Sequence, residues 1–568
     1  MTPILKRDRQ RPQSRGGSLG FGPMSLHLER DDRRSDRRTR FRRLRRLDYG
    51  ALFAWVLGVG TIALVAFLAY KGTRVHIEQT GLKDESAFNG LTINQVQVRI
   101  TFKSEKDAKG SKLRFDGKLV EDPEVDKTTM RWKPPADITQ GKHKLTLEVP
   151  RALLKNASFT WDFVFDTTPP KIQAPPVVQA VGMTKAAVVK GKVEPGATLR
   201  VGGRATDIDD DGSFEVPFPR PPAGAVVFEA VDPAGNRSAA SVVIPVVYPE
   251  VRAVHATAAS WSNAGLRGRI LQMVDEKRIN AVVLDLKDED GIVGFDTKVS
   301  RAHQVGAVTE YYDLDDAVAE LKEHGARLIG RVSTFRDPKL AQAAWGGGQP
   351  AQVIQKPGGG PYNNPGQFTN FANADVQQYN LDIALDGVSR GVRDIMWDDV
   401  RRPGADPTEV VVPGMPGSAS DALVGFLAKA HNELRRRGAY SGVGVPGISV
   451  DRGDLVGQDI AQMARHADYM VPTIHPAYWN PHEFNVDSPV RQPGDLVSRV
   501  VARFGEVAKN SGTRFIPSLQ DFNARGVSYG EDMVRAEVEA ARKAGARGFV
   551  LWDPSVTYTA QALDPQGG

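Results

Sequence analysis

The chain contains no cysteine, so it has neither disulfides nor a thiolate metal site, and its stability must come from core size. Its histidines, among them His303, His324, His431, His466, His475 and His482, show no HExxH or paired spacing, and neither a metal nor a cofactor is expected. A glycine-rich phosphate turn is missing after the first strand of the C-terminal half, where Trp261–Gly265 reads WSNAG. That absence argues against a dinucleotide-binding open sheet. The most informative absence is that of charge between Tyr49 and Tyr70. This run is long enough to span a bilayer as a helix, with Tyr49, Trp55 and Tyr70 as aromatic anchors.

Charge elsewhere is uneven. The net charge is +6, yet residues 30–46 read RDDRRSDRRTRFRRLRR, and only Lys71 and Arg74 follow the apolar run closely. Arginines abutting an apolar span mark its cytoplasmic side. The run exceeds an ordinary signal-peptide core, and no small-residue cleavage site follows. The expectation is a basic, disordered cytoplasmic tail (1–48) and an uncleaved transmembrane signal anchor (49–70), with the rest of the chain extracellular at the cell membrane. A buried core helix is the alternative for residues 49–70. The position of the basic tail argues against a nucleic-acid partner.

At 568 residues the chain is too long for one core. Residues 73–167 alternate in short runs such as VQVRITF and HKLTLEV, separated by turn residues, which predicts a β-sandwich. DTTPP at Asp166–Pro170 is a stiff linker. Residues 171–248 read as a second β-domain. Its GKVEPGATLRV opening and DPAGN turn resemble bacterial immunoglobulin-like modules, and the first domain resembles them more loosely. Asp207-x-Asp209-x-Asp211-Gly212 copies half of a calcium loop, but Phe218 stands where the bidentate glutamate belongs, so a hairpin turn is expected.

Residues 250–562 alternate strand-like apolar runs with amphipathic helical stretches. The strand candidates are Val251–Ala256, Ala281–Leu286, Arg327–Val332, Asp394–Trp397, Val443–Val450, Tyr469–Ile474, Arg514–Leu519 and Gly548–Trp552. Eight such units predict an α/β fold, a (β/α)8 TIM barrel, whose chemistry gathers at the strands' C-terminal ends. The stretch GVRDIMWDDVRRP (Gly391–Pro403) is the sharpest case, a buried strand surfacing in two carboxylates. Alternation sends Asp398 to the face of Met396 and Asp399 to the other. Asp398 is expected at the barrel mouth and Asp399 pointing outward to Arg401 or Arg402. Other strand ends carry Asp285, Lys287 and Asp288, then Arg331, Asp451, His475, Gln520, Asp521, Trp552 and Asp553. Carboxylates after five strands, with Trp261, Trp479 and Trp552 nearby, fit a sugar site: aromatic faces stack on pyranose rings and carboxylates cleave the glycosidic bond.

Six blocks in order, VLDLKDED, RVSTFRDPKLA, DIMWDDVRRP, VPTIHP, PSLQDF and VLWDPSVTYT, resemble a glycoside hydrolase barrel family long known as a domain of unknown function in bacterial surface proteins. The resemblance covers roughly residues 250–562. It implies a (β/α)8 barrel acting on a polysaccharide or cell-wall glycan, with Asp285, Lys287, Asp398, Arg401, Pro403, Gln520, Asp521 and Trp552 matching the family pattern. Three positions depart from it: Asp399 and His475 replace tyrosines, and Arg402 replaces a phenylalanine.

The catalytic candidates are Asp398 and, across the barrel, Asp521. Substrate-binding candidates are Asp285, Lys287, Arg331, Arg401, His475, Trp479, Gln520 and Trp552. Several have a second reading. Asp285 and Lys287 could form a structural ion pair, and Arg331 could hold a carboxylate or meet an acidic sugar. His475 could act as acid–base or pack on Tyr478, Trp552 could be pocket floor or core, and Asp553 could cap a turn. The glycine-rich segment 334–372 is expected to wall or cover the mouth through Tyr362, Phe368 and Phe371. A non-catalytic barrel that binds glycan or protein is the competing function.

Overall fold

The computed structural model describes residues 49–72, 74–151, 154–362 and 367–565. The arginine-rich tail lies outside them. The chain divides into two compact units, Met1–Val75 and His76–Gly568. In the first, the uncharged run forms a helix, Tyr49–Gly72. Its described side chains, Trp55 to Val65 and Phe67, are exposed. Among the described residues no helix is long and apolar enough to cross a membrane.

The second unit begins with two β-domains. In the first, a four-stranded and a five-stranded sheet form. One of its two nine-residue strands, Gly141–Val149, buries His143, Leu145, Leu147 and Val149 in strict alternation. In the second, Asp209–Gly212 makes a turn, but not the expected hairpin. The strand before it, Arg204–Thr206, pairs with Thr198–Val201, whereas the strand after it, Ser213–Phe218, pairs with Ala187–Lys192. The turn therefore carries the chain from one sheet to the other.

The barrel strands are β1 (Val251–Ala256), β2 (Ala281–Lys287), β3 (Arg327–Ser333), β4 (Asp394–Asp398), β5 (Tyr440–Pro446), β6 (Tyr469–Ile474), β7 (Arg514–Phe515 and Ser518–Gln520) and β8 (Gly548–Trp552). All pairings are parallel, and β1–β8 and β5–β6 close the ring. β5 starts before the predicted Val443 because the apolar run VGVPGISV continues past the strand into a short helix, Ser449–Arg452. β7 is broken at Ile516–Pro517, since proline has no amide hydrogen for the ladder.

Alternation fills the barrel with Val251, Ala253, Val283, Ile329, Met396, Val471 and Val550. Below Met396, at the N-terminal end of β4, Asp394 accepts hydrogen bonds from the hydroxyls of Tyr248 and Tyr469, both at 2.6 Å. Arg327 lies 3.4 Å away. Gly442 on β5 makes room for the ring of Tyr469, which a Cβ would meet at 2.1 Å. Tyr248 precedes β1, so the predicted boundary at residue 250 cuts through the barrel's floor. The second β-domain also meets this end, where Tyr440 donates to the carbonyl of Val247 at 3.1 Å.

Candidate active site

At the opposite end, inward-facing residues of four adjacent strands converge. Asp285 on β2 stands in register with Arg331 on β3, and Ser333 with Asp398 on β4. The Arg331 guanidinium donates through Nη1 to Asp285 Oδ1 at 2.8 Å and through Nε to Asp398 Oδ2 at 2.8 Å. Both terminal nitrogens donate to Glu289 Oε2 at 3.1 Å. His255 at the end of β1 completes the group, its Nε2 lying 2.9 Å from Asp285 Oδ1. One cation thus meets three carboxylates.

Burial works against every charge in this cluster, and the outcome depends on partners. For Asp398, burial pushes the pKa up, but Arg331 and the Asp399 amide (2.8 Å from Oδ1) outweigh it and hold the carboxyl below its ordinary value. Asp285 behaves alike: burial is overcome by His255 and Arg331. Arg331 is held well above its usual value despite burial, by Asp285, Asp398 and Glu289. Gly444 on β5 accommodates Asp398, since a Cβ there would sit 2.7 Å from Oδ1.

Above the cluster opens a cavity of about 670 Å³. Its floor is apolar (Val283, Met396, Val471, Val550), and its walls carry Glu289, Arg336, Asp398, Arg401, His475 and Trp552. The side chains of Asp398 and Glu289 are 30% and 44% exposed, so both are reachable.

The other predicted residues divide. Arg401 lines the cavity, paired with Asp399 at 2.8 Å and lying over the Phe368 ring at 5.3 Å. Trp479 lines it and packs edge-on against Phe484. His475 stacks on Trp552 with centroids 5.1 Å apart. Burial pushes its pKa down to about 3, so the imidazole is neutral at pH 7 and unsuited to donate a proton. Asp285 lies beneath the cavity, bonded to Arg331 and His255 rather than to Lys287. A register shift between Asp285 and Lys287 accompanies a different partner for Lys287. It is fully buried and bound to Asp337 at 2.6 Å. Gln520 is a buried brace between the Ala477 amide and the Phe522 carbonyl.

Asp521 is not brought to Asp398. Thr559 occupies both its oxygens at 2.7 Å, through its amide and its hydroxyl, and Asp521 does not line the cavity. Asp399 does not point into solvent. It is buried with φ at +50°, accepting from Ser333 Oγ at 3.0 Å and from Arg401. Arg402 turns away to the carbonyls of Ala405 and Asp454. Trp261 is in the outer core, Asp451 pairs with Arg503 on the exterior, and Asp553 caps the Ser555 turn. Of segment 334–372, Phe368 and Phe371 are core and Tyr362 packs against it. Among the described residues of that segment, Arg336 lines the cavity.

His255, Glu289 and Arg336 were missed. The signal for His255 was available: it shares the inward phase of Val251 and Ala253. Glu289 and Arg336 lie on loops, where no periodicity reports direction.

A closed parallel barrel with charged groups at the C-terminal strand ends is a TIM-barrel site. The family model described as "Putative glycosyl hydrolase domain" matches residues 253–558, more than half of the chain, and the chain belongs to that family. No curated protein matches the chain. Similar solved structures include a Group II chitinase catalytic domain from Ostrinia furnacalis (9% identity, 55% of this chain and 94% of that one, TM-score 0.35). An endo-1,4-beta-D-mannanase from Thermotoga petrophila shows 14% identity over 53% of this chain and 88% of that one (TM-score 0.37). The beta-amylase catalytic domain of Paenibacillus polymyxa shows 10% over 56% and 96% (TM-score 0.37). At these scores the likenesses carry no argument, and the barrel stands on its own strand order.

Proposed function

We propose that the barrel hydrolyses glycosidic bonds of a cell-wall or extracellular polysaccharide, with Asp398 as one of two working carboxylates. The observation that carries this reading is the single Arg331 guanidinium holding Asp398 and Glu289 side by side in one open cavity. Glu289 replaces Asp521 as partner because it shares that cavity. Bound at opposite ends of a planar guanidinium, the two carboxylates stand roughly 6–7 Å apart, at the lower edge of the inverting range. Asp398, kept ionised, would take a proton from the attacking water, and Glu289, once substrate displaces it from Arg331 and it has taken up a proton from solvent, would give that proton to the leaving glycosidic oxygen. Trp552, Trp479 and exposed Tyr478 supply faces for sugar rings.

The second reading is a glycan-binding barrel without turnover. It is favoured by one fact: Asp288, Asp394, Asp521 and Glu537 have pKa values shifted upward, yet none of them lines the cavity, whereas a general acid works best with a raised pKa. A screen of hydrolysis over defined oligosaccharides decides between the readings. Turnover that is lost in both Asp398→Asn and Glu289→Gln supports hydrolysis, and binding without turnover supports the alternative.

The apolar run preceded by arginines supports a membrane anchor at residues 49–70, with the tail cytoplasmic and the barrel outside. Protease added to intact cells should remove the barrel and spare the tail. Cleavage of the tail would overturn this arrangement.

A further inference from the structure

The cavity is lined by charges of both signs. Four arginines line it: Arg331, Arg336, Arg401 and Arg452. Three are neutralised within the chain, Arg331 by three carboxylates, Arg401 by Asp399 and Arg452 by Glu483 at 2.8 Å. Arg336 has no hydrogen bond or ion pair from its guanidinium among the described residues. It is half-buried, in the loop that follows β3.

Its backbone is held firmly. Ser333 Oγ lies 3.1 Å from the Arg336 carbonyl and 3.0 Å from Asp399 Oδ2, and its one hydroxyl proton is shared between these two acceptors. Arg336 also forms a backbone bridge with Phe368, the ring beneath the Arg401 guanidinium. Arg336 and Arg401 therefore belong to one wall, tied together by Ser333, Asp399 and Phe368. That wall carries two guanidiniums and one carboxylate. Asp285, Glu289 and Asp398 are already engaged by Arg331.

We infer that Arg336 binds an anionic substituent of the glycan, a sugar carboxylate or sulfate, in this cavity. The inference rests on the glycan reading of this cavity and names its substrate class. A guanidinium fork matches a planar carboxylate or two sulfate oxygens, and its strength rises where water is partly excluded. A neutral sugar would leave Arg336 half-desolvated without a counter-ion, which costs binding.

The test is binding of defined oligosaccharides to the full-length protein, with uronate-containing, sulfated and neutral members of equal length. The expected result is at least tenfold tighter binding of one acidic class over neutral chains. The arm that binds identifies carboxylate or sulfate as the source. Arg336→Gln should bring that ratio close to one with unchanged melting, and Arg336→Lys should restore part of it. Equal affinity for neutral and acidic chains, no binding of either acidic class, or an acidic preference that survives Arg336→Gln would overturn the inference. Arg336-dependent binding of an acidic chain without cleavage would sustain it while sinking the hydrolase reading. Cleavage of neutral glycan with indifference to Arg336 would do the opposite.

Discussion

The two ends of β4 carry the same residue type on the same inward face, yet they behave in opposite ways. Asp394 at the floor and Asp398 at the mouth are separated by Met396. Both lose water. At the floor, burial prevails over Arg327 and the two tyrosine hydroxyls, and the pKa rises to about 6. At the mouth, Arg331 at 2.8 Å prevails over burial and the pKa falls. What differs is the distance and alignment of one guanidinium. The tyrosines satisfy Asp394 as a hydrogen-bonded plug, whereas Arg331 keeps Asp398 charged beside an open cavity. The first arrangement suits stability and the second suits chemistry.

The sharpest way to break this contrast is Asp398→Asn, which removes the charge and keeps the shape. Hydrolysis should fall by about three powers of ten or more, because a base or nucleophile contributes that much. Melting should move only slightly. If kcat for the best substrate in the screen changes less than tenfold, Asp398 is not the working carboxylate.

Asp394→Leu should do the reverse, leaving catalysis to the survivors but removing the acceptor for Tyr248 and Tyr469. Two buried hydroxyls and Arg327 would then lack a partner, at a cost of about 2–4 kcal/mol, read from the denaturant midpoint. Asp394 also gives the pH dependence a definite sign. Its folded pKa, about 6, lies above the ordinary aspartate value of 3.8, so the folded state keeps a proton that the unfolded chain releases. Its contribution is most favourable below about pH 4, declines as pH rises to 6, and is constant beyond. The difference between wild type and Asp394→Asn should therefore shrink by about 3 kcal/mol across that window, at ~1.4 kcal/mol per pH unit. Asp398 works in the other direction, stabilising above its unfolded pKa and losing this as pH falls through its lower folded value.

Tyr248→Phe tests the floor more gently. Loss of one buried hydroxyl bond costs about 1–2 kcal/mol, and a chain beginning at residue 250 should be destabilised by more, since the whole ring leaves. An unchanged denaturation midpoint for such a truncation would show that the barrel does not need its plug.

The barrel was legible where the pattern was clean. The bounds of β1, β6 and β8 follow directly from apolar runs between turn residues, and the alternation in DIMWDD placed Met396 and Asp398 on one face. The failures share a cause: sequence shows which residues end a strand but not what they meet. Lys287 could be paired with Asp285 because alternation puts both on one face of β2, whereas a register shift and Asp337 separate them. Trp261 was read as a sugar platform on residue type alone, and it is core. Asp399 was expected to point outward to Arg401 or Arg402; it does pair with Arg401, but it is buried at positive φ, where Ser333 also holds it. Glu289 and Arg336 gave no signal because loops have no period.

Asp521 provides the smallest expected effect and the finest test of the rule that the partner decides. It stands at the C-terminal end of its strand, as Asp398 does, but its pKa is raised to about 6, as at the floor. Burial is the main cause, opposed by the Thr559 amide and hydroxyl, with Asp553 adding to the rise. No cation faces it among the described residues. Position along the barrel therefore does not fix the charge. Both oxygens serve to hold the turn at Thr559, so Asp521→Asn, which keeps one acceptor, should cost about 0.5–1.5 kcal/mol. Hydrolysis should change less than tenfold, against a loss of about a hundredfold for Glu289→Gln. If the ranking of these two variants is reversed, the second carboxylate lies after β7, and substrate binding must free Asp521 from Thr559.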